Sequence, residues 1–384
     1  MAKYKLGDIC EIVSGSTPKT SIEEYWDGDI KWITPAEIND DTYIVTDSVR
    51  KITDLGAKKT GLSPYPEGTV ILSSRAPIGK VAIAGCAMCC NQGFKNLICS
   101  EKILNKYLYW FLKGNTSFLN SLGRGATFKE ISKSIVSQIE INVPDIEYQK
   151  EAADILEKVS EVIYLRKQEL TALDNLINAR FVEMFGTLDT PTQAFEKATL
   201  KELCNKITDG KHGGCKSEVG TERYFVGARE IYDDDVHYEL APEINIEEFE
   251  KDYKRCNVEI GDFLIVNTGA TIGKSAIACD KRTEHTLLQK SVALLKVKKD
   301  VLNPIFLKWC YRVNTKMYMV ENASAQPNLL LSKINATVIY VPDIELQNQF
   351  ADFVHQVNKS KVAVQKALDE TQMLFDSLMQ EYFG

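Results

Sequence analysis

Residues 146–186 read IEYQKEAADILEKVSEVIYLRKQELTALDNLINARFVEMFG, with no Pro anywhere and no Gly before the last position. Apolar side chains fall at Ala152, Ile155, Val159, Ile163, Leu170, Leu173, Ile177, Phe181 and Met184, with Arg166 filling one step. Steps of three and four put them on one stripe of a helix. Some 35 helical residues span about 50 Å, too long for one helix of a compact core. The stretch then recurs. VPDIEYQ at 143–149 returns as VPDIELQ at 341–347, and Phe185-Gly186 returns as Phe383-Gly384, both 198 residues on. The second stripe runs Phe350, Val354, Val357, Lys361, Val364, Leu368, Thr371, Phe375, Leu378, Tyr382, and is weakened by Lys361 and Thr371. Two helices with matching stripes can bury them against each other as a coiled coil.

The repetition extends to the whole chain. LGDICEIVSG at 6–15 answers LKELCNKITDG from 200, with Cys10 over Cys204. WITPAEI at 32–38 answers FVGAREI at 225–231, and EGTVILSSRAPIGKVAIAG at 67–85 answers IGDFLIVNTGATIGKSAIA at 260–278. Gln92 pairs with Gln289, Trp110 with Trp309, Thr127-Phe128 with Pro327-Asn328, and Ser132-Lys133 with Ser332-Lys333. The offset drifts only from about 193 to 200. Each copy reads as short strands punctuated by Gly, Pro and Asn turns, a short helix around the Trp, a last strand and the long helix.

These features predict an α+β chain: two similar globular domains, 1–145 and 187–343, joined by two long helices, 146–186 and 344–384. Helix one ends where the second domain begins. A parallel pairing would need a long return connection, so the helices are expected to run antiparallel, giving a pseudo-twofold dumbbell.

A net charge of −7 over 384 residues argues against gripping nucleic acid by bulk charge, and both halves carry more acidic than basic residues. A local basic cleft is still allowed. The start, MAKYKLGDIC, lacks a signal peptide's pattern, and no apolar run approaches the roughly 18 residues of a membrane span. Ten scattered cysteines suit reduced, buried thiols in a cytoplasmic protein, with no membrane partner.

Two motifs fail on spacing, and a third reading lacks its partners. NTGATIGKS at 267–275 leaves three residues between its glycines where a phosphate-binding loop needs four, so it reads as strand–turn–strand, as does SSRAPIGKV. CAMCC at 86–90 has no second paired-cysteine motif for zinc, and the other copy has lost it. The four histidines have no Ser or carboxylate partner in any nucleophile motif. Neither a dinucleotide fingerprint nor an N/D-P-P-Y/F methyltransferase tetrapeptide is present, so no catalytic residue, metal or cofactor is assigned to this chain.

What remains is a set of polar loops. The first copy offers Thr17, Lys19, Lys31, Arg75, Lys80, Arg124, Thr127 and Lys129. The second offers Lys211, Lys216, Arg229, Asn267, Thr268, Lys274, Gln326 and Asn328. Arg favours guanine edges, Asn and Gln favour adenine, and Lys, Ser and Thr suit phosphates. Any one of these alone is an ordinary solvated loop side chain. The set carries weight because anchors are shared between copies while loop chemistry differs, as where Arg75 becomes Thr268.

With its duplicated layout, the LGDICEIVSGSTPKT opening, WITPAEI, EGTVILSSRAPIGKVAI and a P-D-I-x-x-Q lead-in to each long helix, the chain resembles the specificity subunit of type I DNA restriction-modification systems. The second copy departs at its start, having ITDGKHGG where the first has IVSGSTPKT. The resemblance implies two target recognition domains, each reading half of a split double-stranded DNA site, with the helices as spacer. It implies no catalysis in this chain. Two modification subunits would carry S-adenosylmethionine, and restriction subunits, ATP-dependent translocases and nucleases, would carry ATP. Readers about 34 Å apart, one duplex turn, would face one side of the DNA. Base modification would require the partner to flip the base out. Two other readings stand beside this one: the recognition portion of a single-chain restriction-modification enzyme, and a structural adaptor that bridges proteins without touching DNA.

Overall fold

The computed structural model describes residues 2–75, 77–125, 129–319 and 328–384. They form two compact units, Met1–Gln168 with Gln365–Gly384, and Glu169–Val364.

The first unit is built on antiparallel strands β1 (Cys10–Ser14), β2 (Val70–Ser73), β3 (Val81–Ala84) and β4 (Phe94–Cys99), in the order β1-β4-β2-β3, with Ile44–Val45 added parallel beside β3. The second repeats it with β5 (Cys204–Asp209), β6 (Phe263–Val266), β7 (Ser275–Ile277) and β8 (Val292–Val297), ordered β5-β8-β6-β7. The central strands are covered on both faces. Val70 and Leu72 join the main core while Ile71 joins a second cluster, and Phe263 and Ile265 part from Leu264 and Val266 in the same way. Burial on both sides of a pleat explains why VILS and FLIV are continuous apolar runs with no alternation. Over one face lies a small layer. It is Trp26–Ile33 with Arg50–Ile52 and Cys89–Cys90 in the first unit, and Tyr224–Val226 with Thr286–Leu288 in the second. Over the other face pack α1 (Asn105–Gly114) in the first unit and α3 (Pro304–Val313) in the second.

The long helices are α2 (Ile146–Phe185) and α4 (Ile344–Phe383), each unbroken over 40 residues. Their lead-in motif has a physical reason. Gln149 is fully buried; its amide donates to the carbonyls of Lys102 (3.0 Å) and Pro144 (2.9 Å) and its oxygen accepts from Leu104 N–H (2.8 Å). Gln347 repeats this with Val301 (2.9 Å), Pro342 (2.7 Å) and Asn303 N–H (2.9 Å). One buried carboxamide thus satisfies three backbone groups that the chain reversal would otherwise leave unpaired. At the far end of α2, Gly186 takes φ +72°, and a Cβ there would stand 2.2 Å from the Thr190 carbonyl. Only glycine closes the helix this way.

Both units show the long helices antiparallel. In the first, Tyr148 near the start of α2 meets Tyr382 near the end of α4, ring centroids 5.9 Å apart. In the second, Phe181 meets Phe350 at 5.3 Å, and Lys361 donates to Asp174 at 2.7 Å. That bond accounts for the lysine interrupting the stripe. All ten α4 stripe positions are buried or half-buried. Along the first half of α2 the buried edge shifts to Ala152, Ala153 and Leu156, leaving Ile155 and Val159 half-buried.

Candidate nucleic-acid interface

Loops at one end of each sheet are tied by the same backbone hydrogen bonds in both units. Gly15 N–H donates to Phe94 O (3.3 Å) and Gly210 N–H to Val292 O (3.2 Å). Ser16 to Cys90 (3.0 Å) matches Lys211 to Leu288 (2.7 Å), and Asn91 to Ile33 (3.0 Å) matches Gln289 to Val226 (2.8 Å). Gly79 to Ser73 (3.0 Å) matches Gly273 to Val266 (3.2 Å), with both glycines at φ +96°. Ile131 to Ser74 (3.0 Å) matches Leu329 to Asn267 (2.7 Å). SSRAPIGKV and NTGATIGKS are therefore strand–turn–strand connections. The 209–216 loop starts from the same clamp as 15–20 despite its different residues.

These bonds correct three pairings drawn from the sequence. Asn91, not Gln92, stands where Gln289 does. Glu130, not Phe128, stands where Asn328 does, since Arg75 bridges Glu130 as Thr268 bridges Asn328. The Ser-Lys pairs are also two residues out of step: Leu6 N–H to Ile139 O and Leu200 N–H to Thr337 O, both 2.9 Å, fix the register there. Short insertions before residue 90 moved the offset, and chance identities hid the step.

In the first unit the indole N–H groups of Trp32 and Trp26 hold the carbonyls of Ser16 (2.9 Å) and Lys19 (3.3 Å). The loop is pinned through its backbone, the Lys19 side chain is exposed, and the Thr17 hydroxyl donates to Gln92. Arg75, one-third exposed, lies 3.9 Å from Glu130. Glu130 is in turn held by Lys95 (3.1 Å), whose buried ammonium also donates to the Ser74 hydroxyl (3.2 Å). Arg124 and Lys129 are exposed beside this corner, and Arg124 pairs with Glu130 through the backbone. Two cations serve the scaffold. The Lys31 ammonium donates to Thr46 O (2.6 Å), and Lys80 donates to the carbonyls of Pro35 (2.9 Å) and Ile38 (2.6 Å). Thr127 lies outside the described residues.

In the second unit the division differs. Lys211, largely buried, pairs with Asp252 (2.7 Å) and Glu248 (3.4 Å), and the hydrogen bond to Asp252 raises its pKa above the usual lysine range. Lys216, Arg229 and Lys274 are exposed. Lys274 occupies the place of Lys80 but sits over the Tyr232 ring at 5.9 Å. Asn267 is buried, Thr268 is half-buried with its hydroxyl 3.4 Å from the Asn328 carboxamide oxygen, and Asn328 is exposed. Gln326 lies outside the described residues. Sequence reasoning passed over Glu130, Lys95 and the two indoles. A usable signal existed: Lys95 interrupts a buried strand at the position where the second copy has Ala293.

Among the described residues no group of three or more His, Cys, Asp or Glu is placed to hold a metal ion, and no helix is long and apolar enough to cross a membrane. Burial pushes the Cys89 and Cys90 thiols up to about 11 and 12, so both are protonated at neutral pH.

The family model described as "Type I restriction modification DNA specificity domain" matches residues 1–175 and again 193–371. A curated relative, the type I restriction enzyme MjaIX specificity subunit of Methanocaldococcus jannaschii, is 38% identical over 209 residues, covering 54% of this chain. The match spans 48% of that relative, about half its length. The EcoprrI specificity subunit of Escherichia coli is 22% identical over 370 residues, 89% of this chain and 84% of that one. Among solved structures, the S subunit of a type I restriction-modification system from M. genitalium shares the fold at TM-score 0.58 and 15% identity, covering 100% of this chain and 96% of that one. A chain from a study of complex assembly in the type I R-M system matches at TM-score 0.63 and 17% identity, covering 99% and 97%.

Proposed function

The chain belongs to the type I restriction-modification DNA specificity family, and from that premise we propose that it is the DNA-reading subunit of such a complex. Each unit reads one half of a bipartite duplex target. Phosphate contacts set the register, and loop side chains read base edges. The chain acts without catalysis of its own, in the cytoplasm, by placing modification subunits that carry S-adenosylmethionine and restriction subunits that carry ATP.

The observation carrying this reading is the pair of loop clusters. Five matched backbone hydrogen bonds hold each cluster in the same frame, while the side chains they present differ. A scaffold kept in two copies with divergent exposed loops suits two readers of unlike sequence. An adaptor that merely bridges proteins gives no reason for Arg75 to stand at the position where the second unit has Thr268, or for Lys19 to be exposed while Lys211 is paired. The test is binding of duplex DNA by the chain with its modification subunits across a salt series. Log affinity should fall linearly with log salt, by about 0.9 per phosphate contact. Affinity that ignores salt, or is absent for every duplex, sinks the proposal.

A further inference from the structure

Three positions change together between the two units. In the first, buried Lys95 holds Glu130 at 3.1 Å, and Glu130 faces Arg75 across an isolated bridge at 3.9 Å. In the second, the same places hold Ala293, Asn328 and Thr268. The strand registers fix this: Leu72 pairs with Lys95 as Ile265 pairs with Ala293, and Thr268 bridges Asn328 as Arg75 bridges Glu130. An ionic triad in one unit is a neutral set in the other, on the same backbone.

A buried lysine is costly without a counter-charge, so Lys95 fixes Glu130 in place. Glu130 then offers its second oxygen to Arg75. A guanidinium has five donors in a planar fork. Held loosely on one side by a carboxylate, it keeps a two-donor edge that matches guanine O6 and N7. Without Glu130 the side chain would be free to swing to a phosphate. Asn328, exposed and bridged to Thr268, presents a donor and an acceptor, the pattern that matches adenine N7 and N6.

We infer that this bridge is the specificity-determining position of each unit. Arg75, positioned by Glu130 and Lys95, reads a guanine in one half-site, and Asn328 reads an adenine in the other. The inference rests on the DNA-reading function proposed above and assigns its base chemistry.

The test uses the full chain with its modification subunits, a randomised duplex library, and then duplexes differing at single base pairs. Arg75→Ala should cut the preference for guanine at one position of one half-site by roughly ten- to hundredfold, leaving the other half-site unchanged. Glu130→Gln should relax the same guanine without lowering total affinity or the salt slope, since the freed guanidinium can reach a phosphate. Because that variant leaves the buried Lys95 cation unpaired, Lys95→Ala with Glu130→Asn is the neutral control. It copies the second unit and should relax the guanine equally. Asn328→Ala should relax one adenine in the other half-site. If Arg75→Ala weakens every sequence evenly and lowers the salt slope by about one, Arg75 is a phosphate contact and the inference fails while DNA reading stands. Should the Glu130 variants keep full guanine preference, the positioning role is wrong. A wild-type complex that selects no sequence at all overturns the proposed function itself.

Discussion

The two units differ most where their backbones agree best. Each ties some loop lysines to its own framework and leaves others exposed, but not at the same places. The first ties Lys80 to Pro35 and Ile38 and exposes Lys19; the second ties Lys211 to Asp252 and exposes Lys274. The interior shows the same kind of exchange. Where the second unit places Phe350 against Phe181, Phe185 and Trp309, the first has Ala152, and it sets Phe375 against Trp110 at the helix position where the second has Ile177. Hydrogen-bonded backbone anchors keep the fold, and side chains beyond them are free to trade places provided volume and charge still balance.

The largest test of that balance is in the core. Phe350→Ala should cost about 3–5 kcal/mol, and Ala152→Phe about 1–3 kcal/mol by overpacking, in urea melts followed by Trp fluorescence. A negligible cost at either site would mean the two cores are not complementary solutions. Next come the buried carboxamides. Gln149→Ala and Gln347→Ala each leave three backbone groups unpaired and should each cost about 2–4 kcal/mol. Their equivalence breaks if one loss is more than twice the other.

A smaller effect probes the exchanged lysines. Lys19→Ala should lower the salt slope of DNA binding by about one, while Lys211→Ala should leave the slope alone and cost about 1 kcal/mol of stability. Equal slopes in both variants would undo the contrast. Smallest is a pH effect confined to the second unit. The hydrogen bond from Arg282 holds the Asp280 pKa down to about 2. A depressed carboxylate stabilises the fold above its unfolded value near 4 and loses that contribution as pH falls toward 2. The stability gap between wild type and Arg282→Met should therefore narrow between about pH 4 and pH 2. A gap constant over that range would show that the ion pair carries none of it.

The repeat, the long helices and the strand–turn–strand at Gly79 and Gly273 were legible in the sequence because periodicity and turn chemistry are local. The lead-in glutamines were visible as a repeated motif, although their partners were not. The site was legible only as a set of loops. Whether a lysine is exposed depends on acceptors far along the chain: Lys80 is taken by carbonyls 42 and 45 residues away, and Lys31 by one 15 residues away. Asn267 looked like a reader, yet the bond from Leu329 folds the chain over it and buries it. Glu130 was missed because its meaning comes from Lys95, 35 residues back on another strand.

The second unit is one continuous stretch of chain, Glu169–Val364, whereas the first needs Gln365–Gly384 to complete it. Phe375, Leu378, Met379, Tyr382 and Phe383 pack on its core. During synthesis, the unit begun first is therefore the one finished last. Until residues 365–384 leave the ribosome, the apolar side chains they cover stay open to chaperones or proteases, and protease sensitivity of stalled nascent chains should persist at residue 364 and vanish once residue 384 has emerged.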